Sequence, residues 1–450
     1  MKIRKLKRSK ITKHKGSSPS PRIRVLLDRA SSCIASGRLG LAEDICREIV
    51  KLSPRTSEAY NILGLIYQER GMIKEAIAVL HKAVDLDASN ANAFFNLGTI
   101  LGQQGQYDQA AVALQKGLAI APGTPKARNN LGLALARMGK LDDAISSLEK
   151  ATELDGHYGD AWFNLGDAYY CRGKLQKAAE AFQRCIRLVP DFVEAHYNLS
   201  IVQHDQKLLP DAIRSLQRTI ELAPEHTAAR HMLAALSGET PDSAPPEFVT
   251  HLFDQYSHGF EDDLTGRLEY RIPNRLRELL YLHLAPGTRF PRAVDLGCGT
   301  GLSGQAFSDI VDYLAGIDIS NNMLEQASRK DIYNDLIRGD ICEQLPQLAD
   351  LYNLIIATDV MVYIGNLEPL FSAVSRKALP GAYFVFSVES LQGQDFTLQA
   401  TGRYAHASAY ISKLAVASGF TVLAQEQTGI RKEGETWIPG EIYILQKKTT

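Results

Sequence analysis

The sequence predicts two architectures in series: an α-helical solenoid, then an α/β domain on a doubly wound, mostly parallel sheet. Three observations carry this. A small residue recurs every 34 positions, at Ala42, Ala76, Ala110, Ala144, Ala178 and Ala212, with no insertion between them. After a stretch rich in turn formers at 237–246 the spacing stops, and short apolar runs alternate with helical stretches. The first such run enters residues 294–301, Val-Asp-Leu-Gly-Cys-Gly-Thr-Gly, a strand feeding a glycine-rich turn.

Each 34-residue unit reads as a pair of helices. Leu63-Gly64, Leu97-Gly98, Leu131-Gly132, Leu165-Gly166 and Leu199-Ser200 mark the first helix of successive units. A turn glycine recurs at Gly37, Gly71, Gly105, Gly139 and Gly173, then lapses to Lys207, and Pro54, Pro122, Pro190 and Pro224 close several units. Small residues let paired helices approach, while larger ones interlock neighbouring pairs. The pattern resembles the tetratricopeptide repeat, with Trp162, Leu165, Gly166, Tyr169, Ala178, Phe182 and Pro190 making the fourth unit the best match. The resemblance implies six repeats and a capping helix over 23–236, stacked into a right-handed solenoid. The first repeat is degenerate, with Arg29 where Leu belongs.

One repeat position holds Asn96, Asn130, Asn164 and Asn198 in four consecutive units, flanked by Phe95, Phe163, Tyr170 and Tyr197. On a concave face these amides form a ladder able to pair with the backbone of an extended protein or peptide partner. The same position also serves local structure in ordinary repeats, and the sequence leaves both roles open.

Past the linker at 237–246, the domain at 247–450 reads as strands near 292–296, 313–317, 335–339, 352–357 and 382–388, with a closing pair near 420–426 and 440–447. Gly297, Gly299 and Gly301 allow a tight turn and close ligand approach. Residues 299–304 also spell G-x-G-x-x-G, with Asp318 fourteen positions further on, so a dinucleotide is the competing ligand. Asp295 argues against it, because a carboxylate repels a pyrophosphate but suits a ligand carrying positive charge.

Asp295, the glycines, Asp318 and Asp340 together resemble the cofactor site of class I methyltransferases that use S-adenosyl-L-methionine, and the chain is expected to have their Rossmann-like α/β fold. The resemblance implies that Gly297, Cys298, Gly299 and Gly301 lie against the methionine part, with Asp295 reaching its ammonium. Asp318 would hold the ribose with Ile319 beside it, Met323 would pack on the adenine, and Asp340 with the Ile341 amide would take the adenine amino edge. Asp359, at the C-terminal edge of the fourth strand, either joins this site or caps the next helix. Tyr363 either lines it or sits in the core.

The segment 357–364 lacks the Asn/Asp-Pro-Pro-Tyr motif of methyltransferases acting on DNA base amines. Methyl transfer needs no metal, and no metal-ligand cluster is legible; a general base is needed only if the acceptor loses a proton. His406, His258 and Tyr404 are the candidates, each with a structural role as the alternative. Residues 253–264, 268–273, 402–406 and 431–434 resemble a group of predicted methyltransferases carrying tetratricopeptide repeats, and Tyr256 and Arg271 are candidates for the methionine carboxylate. The expected function is a methyltransferase whose solenoid recruits a protein or peptide-bearing substrate. The alternative is an assembly scaffold whose second domain binds cofactor without important catalysis. An NAD-dependent oxidoreductase is opposed by Asp295 and by the lack of its catalytic residues.

Composition bounds the rest. At 450 residues with 45% apolar content the chain can bury more than one core. Net charge is −1, yet residues 1–24 hold ten Lys and Arg and no acid, so residues 1–22 read as a disordered basic tail and the remainder is acidic. No aromatic residue interleaves those charges, so nucleic-acid binding is expected to be at most weak. Six scattered cysteines without a C-x-x-C pair fit a reducing compartment. No apolar run suits a bilayer, and a cytoplasmic location is expected.

Overall fold

The computed structural model describes residues 20–256, 261, 263–433 and 436–449. Most of the basic tail, and His258, lie outside these. The chain divides into two compact units, 1–208 and 209–450.

The first unit holds helices α1 (Pro21–Ala35), α2 (Leu39–Leu52), α3 (Ser57–Glu69), α4 (Ile73–Leu86), α5 (Ala91–Gln103), α6 (Tyr107–Ile120), α7 (Pro125–Arg137), α8 (Leu141–Leu154), α9 (Gly159–Cys171), α10 (Leu175–Leu188) and α11 (Val193–Asp205). Ser20 caps α1 by accepting from the Ile23 amide, with Pro21 opening the helix. The turn glycines from Gly37 to Gly173 all adopt φ of 71–73°, and Lys207 at the sixth turn takes φ 63° at some cost in strain. Ala42, Ala76, Ala110, Ala144 and Ala178 are fully buried. At Gly166 a Cβ would sit 2.6 Å from the Phe182 ring, so the first helix of that repeat approaches the second only without a side chain.

The second unit begins with α12 (Leu209–Leu222) and α13 (Thr227–Ser237), followed by α14 (Pro246–Tyr256) and α15 (Ile272–Tyr281). The α/β core then runs β1 (Ala293–Leu296), α16 (Leu302–Phe307), β2 (Leu314–Asp318), α17 (Asn321–Ser328), β3 (Asp335–Arg338), α18 (Ile341–Gln344), β4 (Tyr352–Ala357), α19 (Glu368–Lys377) and β5 (Ala378–Leu391). It closes with β6 (Phe396–Leu398), β7 (Tyr404–Ala407), α20 (Ser408–Ala417), β8 (Phe420–Glu433) and β9 (Thr436–Lys447).

Strands order β3-β2-β1-β4-β5, all parallel, with β9 antiparallel beside β5 and β8 antiparallel beside β9. Every expected strand is present; the short β6–β7 pair, which meets the end of β5, gave no apolar run long enough to read. Alternate residues of β4 serve opposite faces. Ile355 packs with Phe371, Phe384 and Ile411 on one side, and Leu354 and Ile356 with Leu276 and Leu280 on the other.

The expected linker is not a free spacer. Asp242 O accepts from the amides of Gly365 (2.9 Å) and Asn366 (2.8 Å), and the Ala244 amide donates to Tyr363 O at 2.9 Å. Ser243 bridges Ile364 as a short antiparallel pair. Just before it, α13 is tied down by the buried His231, whose Nε2–H reaches Gly402 O at 2.9 Å. Turn-forming composition identified a segment without helix or strand; backbone pairing with a sheet edge is open to almost any sequence.

Candidate active site

A cavity of about 420 Å³ opens at the C-terminal edge of the parallel strands, where open α/β sheets bind ligands. Its wall draws on the glycine turn after β1, the ends of β2, β3 and β4, and the segment from Asp242 to Phe253.

Backbone geometry builds the centre. Gly297, Gly299 and Gly301 all have positive φ (67°, 53° and 93°). A Cβ on Gly297 would collide with Val360, whereas the space beside Gly299 is open. The Gly299 amide donates to Asp318 Oδ2 at 2.8 Å and the Ser320 amide to Asp318 Oδ1 at 2.9 Å, so the turn after β1 is locked to the end of β2. Asp340 caps α18, its Oδ1 accepting from the Cys342 amide at 2.7 Å.

Of the expected cofactor residues, Gly297, Cys298, Gly299, Asp318, Ile319, Asp340, Ile341 and Asp359 line the cavity. Gly301, Met323 and Asp295 do not. Met323 is fully buried in α17. Asp295 is also fully buried: Tyr333 Oη–H donates to its Oδ2 at 2.7 Å, and burial pushes its carboxyl up to about 7. Tyr333 in turn packs against Gly301 and Gly304.

Two of the three expected bases, His406 and Tyr404, are not in the cavity either, and the third, His258, lies outside the described residues. His406 is fully buried, its Nε2–H shared between Ile364 O (2.9 Å) and Gly365 O (3.0 Å), and burial lowers its pKa to about 4. Tyr404 is equally buried, its ring packed where a Cβ on Gly365 would fall. Both support the lining residue Ile364 and its neighbour, and a group shut off from the cavity cannot take a proton from a ligand in it. Arg271 is exposed at the start of α15 and does not line the cavity, while Tyr270 and Tyr363 do.

Asp359 does not cap the following helical turn. It adopts φ 55°, its amide donates to Ser387 Oγ at 3.0 Å, and its Oδ1 accepts from Arg431 Nη1 at 3.0 Å. Arg431 is itself buried and donates through Nη2 to Glu389 Oε1 at 2.5 Å, with Arg403 Nη1 3.8 Å from the same oxygen. The lining carries Asp242, Asp318, Asp340, Glu343 and Asp359, and no Lys, Arg or His among the described residues. That one-sided charge suits a cationic ligand and opposes a pyrophosphate.

In the first unit the asparagine ladder is bound between repeats. Nδ2 of Asn96 donates to Asn61 Oδ1 (2.8 Å), Asn130 to Thr99 Oγ1 (2.9 Å), Asn164 to Asn129 Oδ1 (2.8 Å) and Asn198 to Asp167 Oδ1 (2.8 Å). These amides brace each repeat on the one before while remaining half-buried.

Residues 294–386 match the family described as methyltransferase domain, and segments within 64–227 match two tetratricopeptide repeat families. The chain joins tetratricopeptide repeats to a methyltransferase domain. Its methyltransferase part is 32% identical over 99 residues to an 18S rRNA (guanine-N(7))-methyltransferase of Bos taurus, covering 22% of this chain and 34% of that protein. It is 26% identical over 138 residues to a malonyl-[acyl-carrier protein] O-methyltransferase of Salmonella typhimurium, covering 30% and 55%. The chain spans about half or less of the length of the first curated relatives it matches. Among solved structures, YrrB, a tetratricopeptide-repeat protein with an unusual peptide-binding site, aligns at 22% identity and TM-score 0.38, covering 41% of this chain and 96% of that one. No helix among the described residues is long and apolar enough to cross a membrane.

Proposed function

We propose that the second unit is an S-adenosyl-L-methionine-dependent methyltransferase, and that the repeats bring it a protein or peptide-bearing partner. The observation that carries the cofactor assignment is the cavity lining, with five acids and no basic side chain among its described residues. A sulfonium and an ammonium gain from that field; the phosphates of a dinucleotide lose. The residues fit the donor in detail. Asp318, held by two backbone amides, presents a carboxylate to a ribose diol, and Ile319 and Ile341 offer flat apolar contact to an adenine. Asp340 and the first turn of α18 supply acceptor and donor for the adenine edge.

The bound donor supplies an already activated methyl group, so this chain's residues need chiefly to align reactants and exclude water. Tyr270, Phe253, Val249 and Tyr363 form the apolar wall that performs the exclusion. The relatives act on chemically different acceptors by name, an 18S rRNA guanine and a malonyl-[acyl-carrier protein], so their names do not choose an acceptor for this chain.

The direct test incubates full-length protein with methyl-labelled S-adenosylmethionine and a clarified cell extract. Label entering an acceptor with wild-type protein, and at least tenfold less with Asp318→Ala, supports the reading. Equal labelling by both, or none by either, overturns it.

A further inference from the structure

The geometry points to Asp359 as the residue that receives an N–H or O–H of the methyl acceptor, which makes the acceptor a protic nitrogen or oxygen group, not an ionised carboxylate. This rests on the methyl-donor reading and assigns the far end of the same cavity.

Strand order separates the two ends of the cavity. With β3-β2-β1-β4-β5 side by side, Asp340 follows β3, Asp318 ends β2 and the glycine turn follows β1. A donor laid along these has its adenosine on the β3–β2 side. Asp359, just after β4, lies across the glycine turn from both, on the side left for the acceptor.

Asp359 is also firmly held. A non-glycine residue at φ 55° persists only where its surroundings over-determine it. Here Ser387 on β5 takes its amide and Arg431 on β8 grips its Oδ1. Arg431 is in turn pinned by Glu389 on β5, so a buried ion pair between two strands fixes one carboxylate at the cavity wall. Such effort is unneeded for a helix cap, and Asp359 caps nothing.

Arg431, paired with Asp359, and Arg403, near Glu389, do not line the cavity, so among its described residues an anionic acceptor would meet carboxylates as the only charged groups. An ion-paired carboxylate remains a strong hydrogen-bond acceptor for a neutral or cationic donor.

Two cofactor-site ligands test this without knowledge of the acceptor. S-adenosylhomocysteine lacks the transferable methyl; sinefungin carries an amine where that methyl sits. Calorimetry on the full-length chain is expected to show sinefungin binding at least tenfold more tightly, with Asp359→Asn abolishing the preference and leaving S-adenosylhomocysteine affinity within twofold. A preference below twofold in wild type, or one retained in Asp359→Asn, overturns the proposal. An equal loss of both ligands in a variant that still melts cooperatively also overturns it, placing Asp359 on the shared amino-acid end. Asp359→Ser repeats the comparison should the Asn variant not melt cooperatively. If wild type binds neither ligand, the methyl-donor reading itself fails.

Discussion

The amide of Gly299 donates to Asp318 Oδ2 across 2.8 Å, joining the turn after β1 to the end of β2 at the centre of the cavity. A ligand that needs the turn open and the carboxylate fixed finds both conditions met by one bond.

Asp318→Ala removes the acceptor for two backbone amides that are otherwise sheltered from water. The expected cost is about 1–3 kcal/mol in stability of the second unit, read by urea denaturation. S-adenosylhomocysteine affinity is expected to fall at least tenfold, measured by calorimetry.

Asp295 gives a pH signature. Its folded-state pKa of about 7 lies above the ~3.9 of an unfolded aspartate, so between these values the folded state holds the extra proton. Stability contributed by this group therefore falls as pH rises through that window. Asp295→Asn is expected to be more stable than wild type at pH 8 by up to about 4 kcal/mol, the gap closing toward pH 4. Denaturation curves across that range check it; a gap independent of pH contradicts it.

His406 has the opposite sign. Its folded pKa of about 4 lies below the ~6.5 of unfolded histidine, so the unfolded chain takes the proton first as pH falls. Stability is lost between pH 6.5 and 4, by up to about 3 kcal/mol. His406→Gln is expected to flatten that acid limb while leaving S-adenosylhomocysteine affinity unchanged. A changed affinity would return this residue to the ligand site.

Gly166→Ala forces a methyl group against the Phe182 ring, which is fully buried. The first unit is expected to lose about 1–3 kcal/mol, seen as an earlier helix-melting transition by circular dichroism. Calorimetric affinities at the second unit should not move.

Much of this fold was legible because it rests on periodicity. Alanines every 34 residues and glycines at each turn state a packing distance and a backbone conformation directly. Asp295 within β1, Asp318 at the end of β2 and Asp340 just past β3 stood out because each lies at or near a strand end marked by its own apolar run. What escaped the sequence was made by side chains meeting across long separations. Tyr333 under Asp295 is 38 residues away, and Arg431 behind Asp359 is 72 away. No local pattern distinguishes such a tyrosine or arginine from a surface one. His406 misled for the same reason: a histidine beside an aromatic reads as catalytic chemistry until its ring is seen bonded to two buried carbonyls. The cavity wall at Asp242–Ala244 was hidden by composition, since turn formers read equally as a loose spacer or a paired edge.

On this reading the acidic, glycine-turned cavity takes a methyl donor and not a dinucleotide. Calorimetric titration of the full-length chain with S-adenosylmethionine, and separately with NAD, tests it most directly. Saturable one-to-one binding of S-adenosylmethionine is expected, weakened at least tenfold by Asp318→Ala, with no binding of NAD at the same concentrations. Binding of NAD with no response to S-adenosylmethionine would contradict it.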